Sequence, residues 1–285
     1  MQTLSIDPAS RFLIPADAPI SILLVGCGGT GSHIAQSLAR LAYHVRERGG
    51  PALSLTFLDG DTVEPKNVGR QLFSLADVGR NKAQVLATRL SAVFGLRISA
   101  IPEMLTNQVG GFADEYGVVV GAVDGPEGRR AIEHLLAWEG WRLWLDAGNE
   151  RHDGQVAVGN ATTPGRLANA FTLPGVCSAL PAPSLTYPDL LADAPPEPVA
   201  ACADAMLADA QSLMVNQAMA SVVGQYLYQI VIGRQLTTFA TSIDLGSLSM
   251  RSQPITPKAV SQATGVPLNV LQGLKKRTRV KARAS

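Results

Sequence analysis

A short apolar segment near the start of the chain runs directly into a glycine-rich turn. The segment PISILLVG occupies residues 19–26, the turn reads GCGGTG, and residues with helical periodicity follow. Glycines spaced as GxGxxG let a backbone approach a phosphate or a ribose closely, and the helix N-terminus behind them favours negative charge. The pattern is weak when it stands alone, but a strand, a turn and a helix in this order predict a Rossmann-type nucleotide site. The turn contributes four candidate nucleotide contacts, Gly26, Gly28, Gly29 and Gly31.

Apolar runs of strand length alternate with helical segments through the first half of the chain. Continuous apolar strands that alternate with helices are typical of a parallel sheet covered on both faces. We therefore predict a Rossmann-like, doubly wound α/β domain with a mostly parallel sheet. The predicted strands cover residues 19–26, 53–59, 97–105, 116–124 and 142–149, with helices after the first strand, over 82–94 and over 128–140.

The segment after this alternating region is rich in proline. Seven prolines lie between Pro174 and Pro198, and proline interrupts both helices and central strands. We expect a long, exposed crossing loop there. The predicted organisation is an N-terminal segment (1–18), a nucleotide-binding domain (19–173), the crossing loop (174–200), a C-terminal helix and strands of the same domain (201–253) and an extension with a basic tail (254–285).

The longest uncharged stretch has two alternative explanations. Between Asp209 and Arg234 there are 24 residues without a charge, enough to cross a bilayer. Glutamine and asparagine side chains interrupt the stretch, however, and each amide is costly in hydrocarbon. The apolar residues recur at helical spacing, so we expect a buried helix and no membrane span. With 46% hydrophobic residues, 16% charged residues and a net charge of +1, the chain has ample material for a core and no overall field that attracts nucleic acid or membranes.

The three cysteines, Cys27, Cys177 and Cys202, cannot form a disulfide framework. The sequence contains no CxxC pair, so we expect no zinc site. The N-terminal residues show no basic region followed by an apolar run, which argues against a signal peptide. The expected location is the reducing cytoplasm, where a functional thiol would act singly.

A polar loop after the second predicted strand distinguishes two kinds of nucleotide site. Asp59 ends that strand, where a carboxylate can accept hydrogen bonds from ribose hydroxyls. A dinucleotide site needs little more here, whereas a triphosphate needs fixed donors and cations. The loop supplies them, and Asp124 lies beyond a later strand, where Mg²⁺ ligands are expected. The candidates in and just after the loop are Asp59, Asp61, Asn67, Arg70, Gln71 and Lys82.

Residues 20–150 resemble the ThiF/MoeB/E1 superfamily, the ATP-dependent enzymes that activate ubiquitin-like and sulfur-carrier proteins. The match consists of GCGGTG, then DGDTVEPKNVGRQ, then a lysine about a dozen residues later and an aspartate at the end of a strand. This combination is much more specific than GxGxxG alone.

The resemblance implies a role for each of these polar side chains. Asp59 binds ribose, and Asp124 binds Mg²⁺. Asp61 is either a neighbour of the ribose or metal or a turn former, and Gln71 helps to shape the loop. The phosphate contacts are Asn67, Arg70 and Lys82.

A cysteine before a helix is a further family feature. Cys202 lies where the long uncharged helix begins. A helix N-terminus lowers a thiol pKa and favours the nucleophilic thiolate, but the position equally suits a small buried hydrophobe. Cys177 is a less favoured candidate, and Cys27 is expected to pack. The proline-rich loop and this helix look most like the ThiF-related protein of the PRTRC mobile-element cassette.

Two features of bacterial family members are missing from the sequence. Many members carry two CxxC pairs for zinc, and this sequence has none. Many also start with an arginine-containing segment that reaches the nucleotide of the partner subunit, and only Arg11 lies in that region here. Relatives are commonly dimers, so a homodimer is expected.

The resemblance implies an enzyme that uses ATP and Mg²⁺ to adenylate the C-terminal carboxylate of a small β-grasp protein. Its implied catalytic residues are Arg70, Lys82, Asp124 and, for a later transfer to a thiol, Cys202. An NAD-dependent oxidoreductase is an alternative that explains only the glycine turn and Asp59. A nucleotide-binding scaffold without catalysis is a second alternative.

Three charged features carry weaker expectations. We expect Arg129 and Arg130 to lie in a solvated helix start, and Asp146 to line the site at the edge of the sheet. The basic tail, which has six lysines and arginines from residue 275 to 283, is expected to be solvated, with nucleic-acid contact as the alternative.

Overall fold

The computed structural model describes residues 8–51, 53–105, 115–137, 141–149, 153–193 and 202–274, and for 202–213 it describes the backbone alone. The strands in these ranges are β1 (Phe12–Leu13), β2 (Ile20–Val25), β3 (Leu53–Leu58), β4 (Ile98–Ile101), β5 (Tyr116–Gly121), β6 (Trp141–Asn149), β7 (Asp153–Gly159), β8 (Gln235–Leu236), β9 (Thr238–Asp244) and β10 (Ser249–Pro254). The helices are α1 (Gly29–Glu47), α2 (Lys82–Phe94), α3 (Pro126–Leu135), α4 (Pro183–Thr186), α5 (Cys202–Tyr228), α6 (Pro257–Thr264) and α7 (Leu268–Leu271).

Eight of these strands form one sheet in the order β10-β9-β7-β6-β5-β2-β3-β4. The five strands from β6 to β4 are parallel, whereas β7, β9 and β10 continue the sheet in antiparallel fashion. Strands β1 and β8 form a separate antiparallel pair. This arrangement confirms the predicted Rossmann-like α/β fold with a mostly parallel sheet.

The central strand β2 sets the place of the functional site. All six of its residues are buried, as expected of an apolar strand covered on both faces. Val25 at its end is in register with Leu58 of β3 on one side and with Gly121 of β5 on the other. After β2 the chain crosses to β3 on one side, and after β5 it crosses to β6 on the other side. Ligands of open α/β sheets bind in the crevice outside the strand ends at such a switch point.

Helix α5 contains most of the uncharged stretch that follows Asp209, as the sequence led us to expect, and it packs along α1, β6 and β7. In its second half, buried residues recur every three or four positions, as on one face of a helix; they are Val215, Asn216, Met219, Ala220, Val223, Tyr226 and Leu227. No helix among the described residues is long and apolar enough to span a bilayer. A π-helical turn, Gln229–Gly233, follows α5.

The proline-rich segment differs from the expected exposed loop. Its described part, up to residue 193, packs against β7, and Cys177, Leu180 and Ala182 are almost completely buried. A Cβ atom placed on Gly159 would lie 1.9 Å from the carbonyl oxygen of Pro181, so the two backbones are in direct contact. The prolines prevent regular strand pairing but allow this close packing, and a single helical turn, α4, forms where Pro183 occupies the first position. Residues 194–200 lie outside the described part of the chain.

Candidate active site

In the glycine turn after β2, some glycines allow close backbone packing and others leave the backbone open to a cavity. Gly26 has φ +87°, and a Cβ on it would lie 2.4 Å from the carbonyl oxygen of Ala122. A Cβ on Gly31 would lie 2.0 Å from the carbonyl oxygen of Gly26, so this position serves the close approach of α1 to the turn. Gly28 is open, with only the amide of Gln71 at 4.0 Å from such a Cβ. Gly26, Gly28 and Gly29 line a cavity, and Gly31 packs behind them.

Asp59 connects the glycine turn to the loop that follows β3. Its carboxylate accepts hydrogen bonds from the backbone N–H of Cys27 at 2.6 Å and of Asp61 at 2.8 Å. Burial raises the pKa of Asp59 from its ordinary value, against the lowering effect of these two hydrogen bonds and of Lys82 nearby. The side chain therefore holds both backbone segments in place while lining the cavity.

Lys82, the first residue of α2, is held at the cavity by Asp61. Its Nζ lies 2.9 Å from Oδ2 of Asp61, and its side chain is only 10% exposed. Asn81, which caps α2, donates hydrogen bonds from Nδ2 to the carbonyl oxygens of Asp59 and Asp61 at 2.7 and 3.0 Å. The beginning of the loop at Asp59–Asp61 is thus tied to its end at the start of α2, and Asp61 is the ionic partner of Lys82.

Arg70 and Gln71 line the cavity, whereas Asn67 lies outside its lining in the described ranges. The side chain of Asn67 is buried, and its Oδ1 accepts a hydrogen bond from the backbone N–H of Glu64 at 2.9 Å. This bond closes the short 3₁₀ turn Pro65–Asn67. The structure therefore places Asn67 as a turn-forming residue under the loop that presents Arg70.

The cavity has a volume of about 640 Å³ and lies outside the carboxyl ends of β2, β3, β5 and β6. Met104 and Leu105, beyond β4, supply an apolar part of its wall. The polar side chains of the lining are those of Thr30, Asp59, Asp61, Arg70, Gln71, Lys82, Asp124, Glu127, Asn149 and Asn216. A cavity of this size at the edge of a preformed sheet is typical of a small-molecule site.

Asp124 follows β5 and is exposed to the cavity together with Glu127. Within the described residues, no group of three acidic, histidine or cysteine side chains could enclose a metal ion. Mg²⁺ usually binds through one or two carboxylates and the phosphates of its substrate. The pair Asp124 and Glu127 fits that mode of binding.

Arg129 and Asp146 form a buried ion pair behind this edge of the cavity, which corrects two expectations from the sequence. Nε of Arg129 donates to Oδ2 of Asp146 at 3.2 Å, and the side chains are only 9% and 2% exposed. Arg129 is therefore not solvated, although its neighbour Arg130 is exposed, and Asp146 lies behind the cavity wall instead of lining it. Burial raises the pKa of Asp146, with Arg129 acting in the opposite direction. A second nitrogen of Arg129 donates to the carbonyl oxygen of Asp124 at 3.4 Å, so the pair supports the loop that carries Asp124.

A hydrogen-bonded network around Asn216 closes the other side of the cavity. Oδ1 of Asn216 accepts from the hydroxyl of Thr30 at 2.9 Å and from Nδ2 of Asn149 at 3.0 Å. These three residues come from α1, β6 and α5. In the sequence, Asn216 is only an interruption of an apolar stretch, and Asn149 is only the end of a predicted strand. A buried amide in an otherwise apolar helix face needs partners, and that need is the signal that could have identified it.

The three cysteines differ in what the structure allows. Cys27 and Cys177 are buried, and burial raises the pKa of the Cys177 thiol to about 12. Burial also raises the pKa of Cys27 well above its ordinary value. Neither is a reactive thiolate near neutral pH. Cys202 is the first residue of α5, but its side chain lies outside the described part of the chain, so its nucleophilic role stays a prediction.

A nucleotide-sized cavity at the carboxyl edge of a parallel sheet, with a glycine turn at its centre, defines a Rossmann-type nucleotide-binding α/β protein. The chain belongs to the ThiF family, whose model matches residues 18–263. A comparison with curated proteins gave no significant match.

Solved structures share the fold at low sequence identity. PaaA is 17% identical with a TM-score of 0.52, over 82% of this chain and 64% of PaaA. MccB from E. coli with ATP is 16% identical with a TM-score of 0.53, over 84% of this chain and 64% of MccB. The microcin C7 biosynthetic enzyme MccB in complex with N-formylated MccA is 17% identical with a TM-score of 0.53, over 84% and 65% of the two chains. The chain thus spans less than two thirds of the length of these proteins.

Proposed function

We propose that this protein is an E1-like enzyme that uses ATP to adenylate a carboxylate of a peptide or small carrier protein. The observation that carries the proposal is the convergence of Asp59, Arg70, Lys82 and Asp124 on one cavity beside the glycine turn. Membership of the ThiF family supports it. So do the neighbours of the same fold, because MccB has been solved with ATP and with the peptide MccA.

In the proposed reaction, a carboxylate oxygen attacks the α-phosphorus of ATP. A new oxygen–phosphorus bond forms, the bond to the β-phosphate bridge breaks, and pyrophosphate leaves with the electron pair. Arg70 and Lys82 stabilise the negative charge that develops on the phosphates. Asp59 binds the ribose hydroxyls, and the open backbone at Gly28 and the N-terminus of α1 receive phosphate oxygens.

The proposal includes Mg²⁺, for which Asp124 and Glu127 are the fitting ligands. When bound, the ion neutralises phosphate charge and orients the triphosphate. The buried Arg129 helps to hold the Asp124 loop through the carbonyl oxygen of Asp124.

The finer features of the proposal concern the partner and the fate of the adenylate. We propose a small β-grasp protein as the acyl donor, a homodimer as the working unit and the cytoplasm as its location, in a role like that of the ThiF-related protein of the PRTRC cassette. Transfer of the acyl group to Cys202, with AMP as leaving group, is the proposed second step.

ATP–pyrophosphate exchange with candidate β-grasp proteins and C-terminal peptides tests the enzyme activity. Loss of a fixed donor to a developing charge commonly lowers kcat about 100-fold or more, and we expect this of Arg70→Ala. Arg80→Ala is the matched control, because Arg80 is an exposed arginine of the same loop outside the cavity lining. ATP binding without exchange for any partner would show a scaffold, and preferential binding of NAD over ATP would show an oxidoreductase; either result contradicts the proposal.

A further inference from the structure

The cavity has a second side, across the sheet from Asp59 and Lys82. Asn149 and Asn216 lie there, on β6 and α5, whereas Asp59 and Lys82 lie at the ends of β3 and the start of α2. In the sheet, β5 and β2 separate β6 from β3. The ribose side and the asparagine side are therefore opposite ends of one cavity.

The amide oxygen of Asn216 accepts hydrogen bonds, whereas the amide nitrogen is available as a donor. The side chain is 6% exposed, and its Oδ1 accepts hydrogen bonds from both Thr30 and Asn149. Two donors on this oxygen fix the orientation of the amide. The Nδ2 group then faces the glycine turn, since a Cβ placed on Gly29 would lie 2.6 Å from Nδ2. Across the described ranges of the chain, no hydrogen bond uses Nδ2 as its donor.

Asn216 lines the cavity, so its available Nδ2 donor can bind an oxygen of a ligand there. It lies beside the N-terminus of α1, a 19-residue helix, where the unpaired backbone N–H groups favour an anion. Two ligand oxygens have this chemistry, a phosphate oxygen of the nucleotide and a carboxylate oxygen of the acyl substrate. The position of Asn216 on the side of the cavity away from Asp59 favours the carboxylate.

We propose that Nδ2 of Asn216 donates a hydrogen bond to the carboxylate oxygen of the acyl substrate that does not attack phosphorus. That oxygen becomes the carbonyl oxygen of the acyl-adenylate, so the same bond holds substrate and intermediate. Thr30 and Asn149 are positioning residues, because they act only through the orientation of the Asn216 amide. This inference rests on the adenylation reaction proposed above.

Calorimetric titration with two stable ligands tests the assignment. AMP carries the nucleotide without an acyl group, and glycylglycyl-sulfamoyl adenosine mimics a peptidyl adenylate. The wild-type protein is expected to bind the acyl ligand more tightly than AMP. Asn216→Asp keeps an acceptor for Thr30 and Asn149 but removes the donor, and Asn216→Ala removes the donor without adding charge. Both changes should lower affinity for the acyl ligand about 3- to 10-fold, the range expected for a lost hydrogen bond to a carbonyl oxygen, and Asn216→Ala should change AMP affinity by less than about twofold.

Gln217→Glu is the matched control, since it replaces an exposed amide by a carboxylate at the next position of α5. It should leave both affinities unchanged, and thermal unfolding of each variant checks that it is folded. Equal losses for AMP and the acyl ligand would assign the donor to the phosphate and overturn the inference. An undiminished preference for the acyl ligand in both Asn216 variants would overturn it as well.

The wild-type protein separates this inference from the function on which it rests. No binding of AMP by the wild type would overturn the nucleotide site itself. Binding of AMP without any preference for the acyl ligand would overturn the acyl side of the proposed reaction, and the role of Asn216 with it.

Discussion

The two sides of the cavity are built in different ways. The nucleotide side consists of the glycine turn and the loop from Asp59 to Lys82. Hydrogen bonds between backbone groups and the side chains of Asp59 and Asn81 hold these segments together. The asparagine side joins α1, β6 and α5 through side chains alone, with Asn216 at the centre. Local turns thus fix the side where the nucleotide is proposed to bind. Packing between distant elements fixes the side where the acyl substrate is proposed to bind.

The largest effect is expected where a buried charge supports the junction between the two sides. Arg129→Met leaves Asp146 buried without its cation, and breaking such a pair costs about 3–5 kcal/mol. Denaturant unfolding should show this loss, while Arg130→Met, at an exposed neighbour, should cost well under half as much. The double variant Arg129→Met with Asp146→Leu should recover part of the loss, because it removes the uncompensated charge. Equal losses of stability for Arg129→Met and Arg130→Met would contradict the supporting role assigned to the Arg129–Asp146 pair.

A change within the glycine turn should damage the nucleotide side alone. Gly31→Ala places a methyl group 2.0 Å from a backbone oxygen, so the turn must shift. We expect a loss of about 1–3 kcal/mol in stability and a clear loss of ATP affinity. The control is Gly165→Ala, where nothing lies within 4 Å of the added atom. If Gly31→Ala binds ATP as the wild type does, the turn does not contact the nucleotide in the way proposed.

Thr30 links the two sides, and its hydroxyl offers a smaller and more selective test. Thr30→Val removes a donor to Asn216 and should cost about 1 kcal/mol, the usual net value of a hydrogen bond. Ser37→Ala serves for comparison, since that hydroxyl donates only to the carbonyl oxygen of His33 in the same helix. Thermal unfolding measures both. A Thr30→Val protein as stable as Ser37→Ala would show that the network contributes nothing to the fold.

The smallest expected effect concerns the pH dependence of stability on the nucleotide side. Because burial raises the pKa of Asp59 in the folded protein, this residue favours folding below its unfolded pKa, and that contribution is lost as pH rises through its folded pKa. The stability of the wild type relative to Asp59→Asn should therefore fall as pH rises from about 3.8, the ordinary value, through the raised one. Urea unfolding of both proteins at several pH values measures the difference. A relative stability that rises over this interval would contradict the direction of the shift.

Most residues predicted for the nucleotide side line one cavity, because the sequence signals for their placement are local. The spacing from Asp59 to Lys82 and the glycine turn lie in single continuous segments, and the register of β2 with β3 and β5 brings them together. Asn67 is the exception in that segment, since its side chain closes a turn below the cavity. Spacing alone does not distinguish a residue that shapes a loop from one that the loop presents.

The asparagine side could not be predicted, because its contacts depend on how distant elements pack. Asn149 and Asn216 carry no motif, and Arg129 appears from its sequence to start an exposed helix. The antiparallel strand β7 was also missed, although strands were expected within residues 201–253. The proline-rich segment is buried because it packs on β7 at Gly159, a contact that composition does not indicate.

The hydrogen bond between Thr30 and Asn216 joins residues 186 positions apart. During synthesis at about 5–20 residues per second, the second residue follows the first by roughly 10–40 s. In the later part of that interval, once Lys82 has been added, a nascent chain carries the nucleotide loops but only one side of the cavity. A chain that terminates before α5 would keep the nucleotide motif and lack the residue proposed to hold the acyl group, so the order of the sequence delays the complete cavity until α5 has been made.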